Sequence, residues 1–558
     1  MTTVGEAVGR TLSAYGTEYF FCFCGGDHEL WHGLEQAGIR IINCRSEAGA
    51  VYMADGYARV SGRPGFVYGQ RGPGVSNVAG AMADPLWASS PVVSLTSSIA
   101  MSSRDRFEYQ DLDGLPMHDA VTRWNKTVSA PERTAAMVRA AIRVATGPAP
   151  GPVHLEIPAD MFSRDAGTGT DLRDEGLGRV AARRIPPPAG AMGRVTDKLL
   201  AAERPIIVAG KGVVISEAWD VLRRYAEALN IPVVTSLGGK GAISESWELA
   251  VGVMGRNSRR VANDTVRRCD TVLAIGTRLG GLASHRWTLP FGDKTLMQVD
   301  SNAAVLGHNF PAAITLVADA RTALEDGVAD IAARGLARGR GPWAEEVAKA
   351  IAAWKGHAAD HAKERPEDGI HPAHVLAELR ALMAPDDIIG ADTGAHGAWV
   401  GALFPVEAGK TMIRANGSLG WVFPGAMGAA MAAPDRRTVA VSGDGGILYH
   451  IAELETALRL EIPVVVVVLN NASLASEYHT QVRRWNGRYI RDVIDYRDVD
   501  FAAVARAFGA HGTRVEDAAD VTDAVRDALA AGMPALVDVK SSKEARSPSA
   551  NRDADRLV

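Results

Sequence analysis

"TVAVSGDGGILYHIAELETALRLEIPVVVVVLNN", residues 438–471, decides the fold. It opens as a strand running into a tight glycine turn and continues with apolar residues at helical spacing. It ends in an unbroken valine ladder, the pattern of a parallel strand buried on both faces. A strand–helix–strand unit of this kind sets its two strands side by side and parallel. Asp444 and the pair Asn470–Asn471 then leave the sheet at one carboxyl edge, where open α/β sheets bind ligands. A carboxylate beside an amide oxygen is a hard oxygen set, suited to Mg²⁺ or Ca²⁺ and unsuited to zinc. Taken singly, GDG is a turn and NN a strand terminator; together they point to a metal.

The same alternation runs through the chain, as in "GIRIINC" followed by "EAGAVYMADGYARV", or "RPIIVAG", "EAWDVLRRYAEAL" and "IPVVTSL" in succession. It predicts an α/β protein of doubly wound parallel sheets. A Gly-, Pro- and charge-rich stretch at 166–191 and "ARGLARGRGPW" at 333–343 interrupt it, leaving three domains: 1–168, 190–332 and 345–558. The 558 residues, 47% hydrophobic, are enough for about three cores. A formal net charge of -5 gives no basic footprint, which argues against nucleic acid as a partner. The start lacks a basic-then-apolar leader, and no run of about 18 apolar residues occurs, so no membrane span is expected and the chain reads as cytoplasmic. Cys22, Cys24, Cys44 and Cys269 have neither CxxC nor zinc spacing and read as small buried thiols.

GDG followed at this distance by NN, with "AELETA" between, resembles the thiamine diphosphate motif of the superfamily of thiamine-dependent decarboxylases and acetolactate synthases. That resemblance implies Mg²⁺ held by Asp444, the Asn471 side chain and the backbone carbonyl of Ser473, where many relatives have glycine. Gly443, Gly445 and Gly446 become cofactor contacts, the last two admitting backbone amides to the diphosphate. "GADTGAHGAW" resembles the diphosphate loop of acetolactate synthases and adds Gly394, Ala395 and His396. "NGSLGWVFPGAMGAA" is similar to the segment that props the cofactor into its bent shape, with Leu419 the wedge and the Gly417 carbonyl an acceptor.

Thiamine chemistry needs a carboxylate against the aminopyrimidine ring to promote loss of the thiazolium proton. "SEAGAVYMADGYAR" resembles the superfamily's glutamate helix and assigns that role to Glu47. "QRGPGVSN" follows where relatives carry a GPG loop ending in Asn, which makes Asn77 a cofactor contact. The resemblance covers nearly the whole chain in the order pyrimidine, central Rossmann-like and diphosphate domain. It implies a homodimer or homotetramer in which one subunit's Glu47 meets another's Asp444.

The substrate is less legible. "FCGGDHELW" offers Asp27 and His28, the GD pair resembling the loop of simple 2-oxoacid decarboxylases, with His28 a candidate proton donor. "FEYQDLDGLPMHDAVTRWNK" looks like the FQE segment of acetolactate synthases, with Gln110 kept to face the adduct. "AERPIIVAGKGVVIS" opens the central unit with a weak GxG fingerprint. After it, "LAIGTRLGGLASHRW" lacks the RFDDR stretch of flavin-binding acetolactate synthases. Together with "MQVDSNAAVLGHNF" it is more similar to 2-hydroxyacyl-CoA lyases, oxalyl-CoA decarboxylases and sulfoacetaldehyde acetyltransferases. ADP or FAD is therefore a candidate second cofactor, with Arg278 and Asp300 as its contacts. The expected activity is acetolactate synthase-like carboligation or decarboxylation of a 2-oxo acid, with an aldehyde or another carbonyl compound as acceptor. The alternatives are a lyase acting on acyl-CoA thioesters and a catalytically silent binding subunit.

Overall fold

Three six-stranded sheets, parallel throughout, account for the alternation read in the sequence. The computed structural model describes residues 2–23, 25–167, 176–180, 182–407 and 409–548; Cys24, linker residues 168–175 and tail residues 549–558 lie outside them. The first sheet holds β1 (Tyr19–Cys22), β2 (Arg40–Asn43), β3 (Gly65–Gly69), β4 (Val92–Ser98), β5 (Asn125–Thr127) and β6 (Val153–Pro158), in the order β2-β1-β3-β4-β6-β5. The second holds β7 (Pro205–Ala209), β8 (Val233–Thr235), β9 (Ala250–Val253), β10 (Thr271–Ile275), β11 (Thr295–Asp300) and β12 (Ile314–Val317), in the order β12-β11-β10-β7-β8-β9. The third holds β13 (Ile388–Ala391), β14 (Met412–Arg414), β15 (Thr438–Gly443), β16 (Val464–Asn470), β17 (His511–Val515) and β18 (Ala535–Lys540), in the order β14-β13-β15-β16-β18-β17.

Each order has a switch point that opens a crevice at the carboxyl ends of the two strands beside it. The three crevices lie between β1 and β3, between β7 and β10, and between β13 and β15. β16 is buried along its whole length, as its valine run requires, and pairs with β15 on one side and β18 on the other. The passage between β15 and β16 forms two short helices, Asp444–His450 and Glu453–Arg459, where the sequence spacing suggested one. The tight turn at Ile451 and Ala452 swings Glu453 inward, where its carboxylate accepts from the Arg45 amide at 3.0 and 3.1 Å and from Thr456 Oγ1 at 2.7 Å.

The first and third domains meet through the helices Glu47–Ser61 and Val422–Ala432. Their backbones approach so closely that a Cβ at Gly56 would collide with the Gly425 carbonyl oxygen, and one at Gly428 with that of Met53. Trp421, Phe423 and Met427 are fully buried at this contact, each contributing roughly 2–3 kcal/mol. A buried charge network crosses it: Arg59 pairs with Asp55 and, at 2.9 Å, with Asp84, and its guanidinium lies 4.2 Å over the Trp421 ring. Trp343, Val347, Ile351 and Trp354 of the helix Pro342–His361 pack on the second sheet's core. Cys22, Cys44 and Cys269 are buried. No helix among the described residues is long and apolar enough to cross a membrane.

Candidate active site

The crevice between β13 and β15 gathers the third domain's expected contacts. β13 leads into Gly394, whose φ of 137° suits glycine, and then into the helix Ala395–Leu403, which starts with Ala395 and His396. β15 leads through Gly443 into Asp444. Asp444 Oδ2 accepts from the amides of Asn471 (3.1 Å) and Ser473 (3.0 Å), and Oδ1 accepts from Gly445 N (2.7 Å). These bonds tie the end of β15 to the loop after β16 and bring Asp444, Asn471 and Ser473 together.

The two asparagines part company here. Asn470 is a strut, donating from Nδ2 to Val499 O at 3.0 Å and to Asp538 Oδ1 at 2.9 Å. Asn471 Oδ1 is buried with no hydrogen-bond partner. Burial pushes the Asp444 carboxyl above its ordinary range despite the amides around it. A desolvated carboxylate next to an orphaned amide oxygen fits a hard divalent cation, whose charge would favour the ionised carboxylate and whose coordination would use the orphan. The Ser473 carbonyl accepts from Ala475 N at 3.0 Å and keeps a lone pair for such a cation.

His396 is buried, its Nε2 has no partner, and desolvation holds the ring down to about 4, so it is neutral at pH 7. Asp392, which sequence reasoning missed, braces this crevice. It accepts from Gly420 N at 3.1 and 3.0 Å, from Ser442 Oγ at 3.1 Å and from Thr393 N at 2.9 Å, and so fixes the segment that carries Gly417 and Leu419. A Cβ at Gly446 would strike the same carboxylate. Gly417 is exposed beside the Trp87 ring and Leu419 is half-buried. Asp84 of the first domain accepts from Asn416 N at 2.9 Å and from Ser418 N at 3.1 Å, bracketing Gly417.

Burial pushes the Asp392 carboxyl up from 3.8 to about 7. Between those values the folded protein holds a proton that the unfolded chain has released, so stability falls as pH rises through the window. From about pH 5 to about pH 8 this group lowers stability by ~2–3 kcal/mol, a loss that Asp392→Asn lacks. Thermal unfolding of both proteins at the two pH values checks it. An unchanged gap between variant and wild type would refute the assignment.

The first domain's crevice collects a second set. Ser46 caps the helix Glu47–Ser61 by accepting from Gly49 N, which sets Glu47 at its first position, buried. Glu47 Oε2 accepts from Asn77 Nδ2 at 3.1 Å, and Oε1 faces Gly74 of the loop that starts the helix Pro73–Ala81. Gln110, at φ 63°, packs against Gly72 of that loop. Glu47, Asn77 and Gln110 thus share one neighbourhood, whereas His28 sits exposed at the first turn of the helix His28–Gln36. Its neighbour Asp27 is the buried group, accepting from Tyr68 Oη, which also bonds Ser97 Oγ at 2.9 Å. The GD pair signalled Asp27 in the sequence; nothing signalled Tyr68 or Ser97, which come from the ends of β3 and β4.

The central crevice holds a cavity of about 810 Å³. Lys211 follows β7, Arg278 follows β10 and Asp300 ends β11; all three line it, together with Arg123 and Arg414. Desolvation lowers the basicity of Lys211, Arg123 and Arg414, the mark of cations gathered in a shielded space. Arg278 donates to the Trp87 carbonyl at 2.8 Å, and Asn416 also lines the cavity, so it extends to the segment carrying Gly417.

A glycine-lined, metal-fitting crevice in one α/β domain and a buried glutamate in another define a cofactor-dependent enzyme. The chain belongs to the thiamine pyrophosphate enzyme family: residues 2–117 match its N-terminal TPP binding domain, 192–326 its central domain and 392–539 its C-terminal TPP binding domain. It is 31% identical to a sulfoacetaldehyde acetyltransferase of Castellaniella defragrans, over 99% of this chain and 95% of the relative. It is 28% identical to a probable acetolactate synthase large subunit of Methanocaldococcus jannaschii, over 96% of this chain and 91% of the relative. It is also 28% identical to the acetolactate synthase isozyme 3 large subunit of Escherichia coli, over 95% and 92%. The chain is therefore a thiamine pyrophosphate-dependent enzyme of the acetolactate synthase and sulfoacetaldehyde acetyltransferase group.

Proposed function

We propose that this enzyme uses thiamine diphosphate and Mg²⁺ to break and form a carbon–carbon bond beside a carbonyl, taking a 2-oxo acid as donor. The observation that carries the metal half is the orphaned Asn471 Oδ1 beside a desolvated Asp444. Asp444, the Asn471 side chain and the Ser473 carbonyl hold the metal. Gly394, Ala395, His396, Gly443, Gly445 and Gly446 shape the space for the diphosphate. Leu419 and the Gly417 carbonyl support the rings, positioned by Asp392 and Asp84. When bound, the cofactor supplies the carbon nucleophile and the electron sink for the bond that breaks. Glu47 holds a proton at Oε1, oriented by the Asn77 bond to Oε2. Gln110 faces the reacting carbonyl, and the exposed His28 serves as proton donor.

The domains run over 1–168, 190–332 and 345–558. The working form is a homodimer or homotetramer in which the first domain of one copy closes over the third of another. Glu47 has its hydrogen-bond partner within its own domain, and the exposed Tyr449, beside His450 on the Asp444 helix, offers an apolar face to a second copy. The buried thiols of Cys44 and Cys269 suit a cytoplasmic setting.

The cationic central cavity favours a second reading, in which ADP or FAD binds there against Arg278 and Asp300 and the donor is an acyl-CoA thioester. Incubation with pyruvate alone separates the two: acetolactate or acetaldehyde is expected for the 2-oxo acid enzyme, and neither for the thioester lyase. The absorbance of the purified protein and of the nucleotide it releases on denaturation identifies flavin or ADP. A silent binding subunit is disfavoured by the intact Glu47–Asn77 pair.

A further inference from the structure

We propose that His361, Glu364 and His371 form a zinc-selective site, with His357 behind it, near the start of the third domain. His361 ends the helix Pro342–His361, and His371 caps the helix Pro372–Leu382. Between them, His361 Nδ1 lies 2.7 Å from Glu364 Oε1, and His371 Nε2 lies 3.2 Å from Glu364 Oε2. One ligand atom from each residue falls within 4.8 Å of the others. The ring centroids of His361 and His371 lie 6.0 Å apart, with the ring planes tilted by 15°.

Two imidazoles and a carboxylate are the ligand types of zinc rather than of Mg²⁺, and water can complete the tetrahedron. Metal bonds of about 2.0–2.2 Å spread the ligand atoms slightly further apart than they lie now. Glu364, exposed at the surface, is free to retreat by that amount. His361 Nε2 is 3.1 Å from His357 Nε2, one helical turn back, so a metal-bound His361 can donate its second ring proton to His357. That is the usual way a histidine ligand is oriented. His371 is buried. Its Nδ1 accepts from Ala373 N at 3.2 Å, so ligation through Nε2 moves the ring proton to Nδ1 and gives up that cap bond.

The metal would clip residues 362–371 into a closed loop. His371 also packs edge-on against Trp399 at 5.2 Å, in the helix that begins at Ala395. The clip therefore bears on the base of the diphosphate crevice without touching it.

The test uses the full-length enzyme saturated with thiamine diphosphate and Mg²⁺, dialysed against Zn²⁺ or Co²⁺. The expected result is one extra zinc per chain, a rise in Tm with zinc, and visible d–d absorbance with cobalt. His361→Ala, at a partly buried position, and Glu364→Gln, at the surface, should lose the extra metal with Mg²⁺-dependent turnover unchanged. His357→Ala should weaken binding by about 10-fold. The proposal is overturned if the wild type binds no more zinc than His361→Ala, or if Glu364→Gln binds as tightly as the wild type.

Discussion

Glu47→Gln is expected to lower turnover by about 10²–10⁴-fold while thiamine diphosphate and Mg²⁺ remain bound. The substitution keeps the side chain's shape, its place at the first position of the helix and an oxygen able to accept from Asn77 Nδ2. It removes the ability to hold a proton at Oε1, the oxygen facing Gly74 at the edge of the crevice. No buried charge is stranded, since Glu47's bonded neighbour is a neutral amide. Thermal unfolding should therefore change little, and the loss should fall on kcat. Initial rates with a 2-oxo acid, beside a cofactor titration followed by protein fluorescence, measure both. A variant that turns over within a few-fold of the wild type would remove Glu47 from the mechanism. Equal loss of cofactor would make it a binding residue only.

How much of this was legible differs from element to element. The valine run of β16, the GDG turn and the helix after Ser46 were legible because short-range rules write them: burial on both faces, turn chemistry and capping. Asp444 and Asn471 were legible as a pair because a parallel strand pair must bring their positions to one edge. Asp84 and Asp392 were not, because their partners Asn416 and Gly420 come from other segments, and the sequence holds no periodic trace of such a bond. The break at Ile451 was hidden for a similar reason. Apolar spacing continues through it, and what bends the chain is Glu453 reaching the amide of Arg45 in another domain. The central GxG was weak evidence as a motif. It gains weight from strand order, since Lys211 and Arg278 follow the two strands that flank the switch point, and strand order appears only once the sheet is assembled.

Asp444→Ala is expected to weaken Mg²⁺-dependent cofactor binding by more than the about 10–100-fold that removing an outer-shell partner costs a metal site. It leaves the buried Asn471 Oδ1 without a cation to meet and frees the amides of Asn471 and Ser473. Activity should vanish at ordinary cofactor levels and return in part at high Mg²⁺ and thiamine diphosphate, unlike that of Glu47→Gln. The two lesions also test how sites are shared. If Glu47 of one copy serves Asp444 of another, a hybrid dimer of the two variants carries both lesions in one site and none in the other. Random pairing makes about half of the dimers hybrids, each with one intact site of two, so co-expression should recover about a quarter of wild-type activity. If each chain completes its own site, every site in the mixture carries a lesion and nothing is recovered. Activity of the co-expressed pair, normalised to cofactor-saturated wild type, decides between these arrangements.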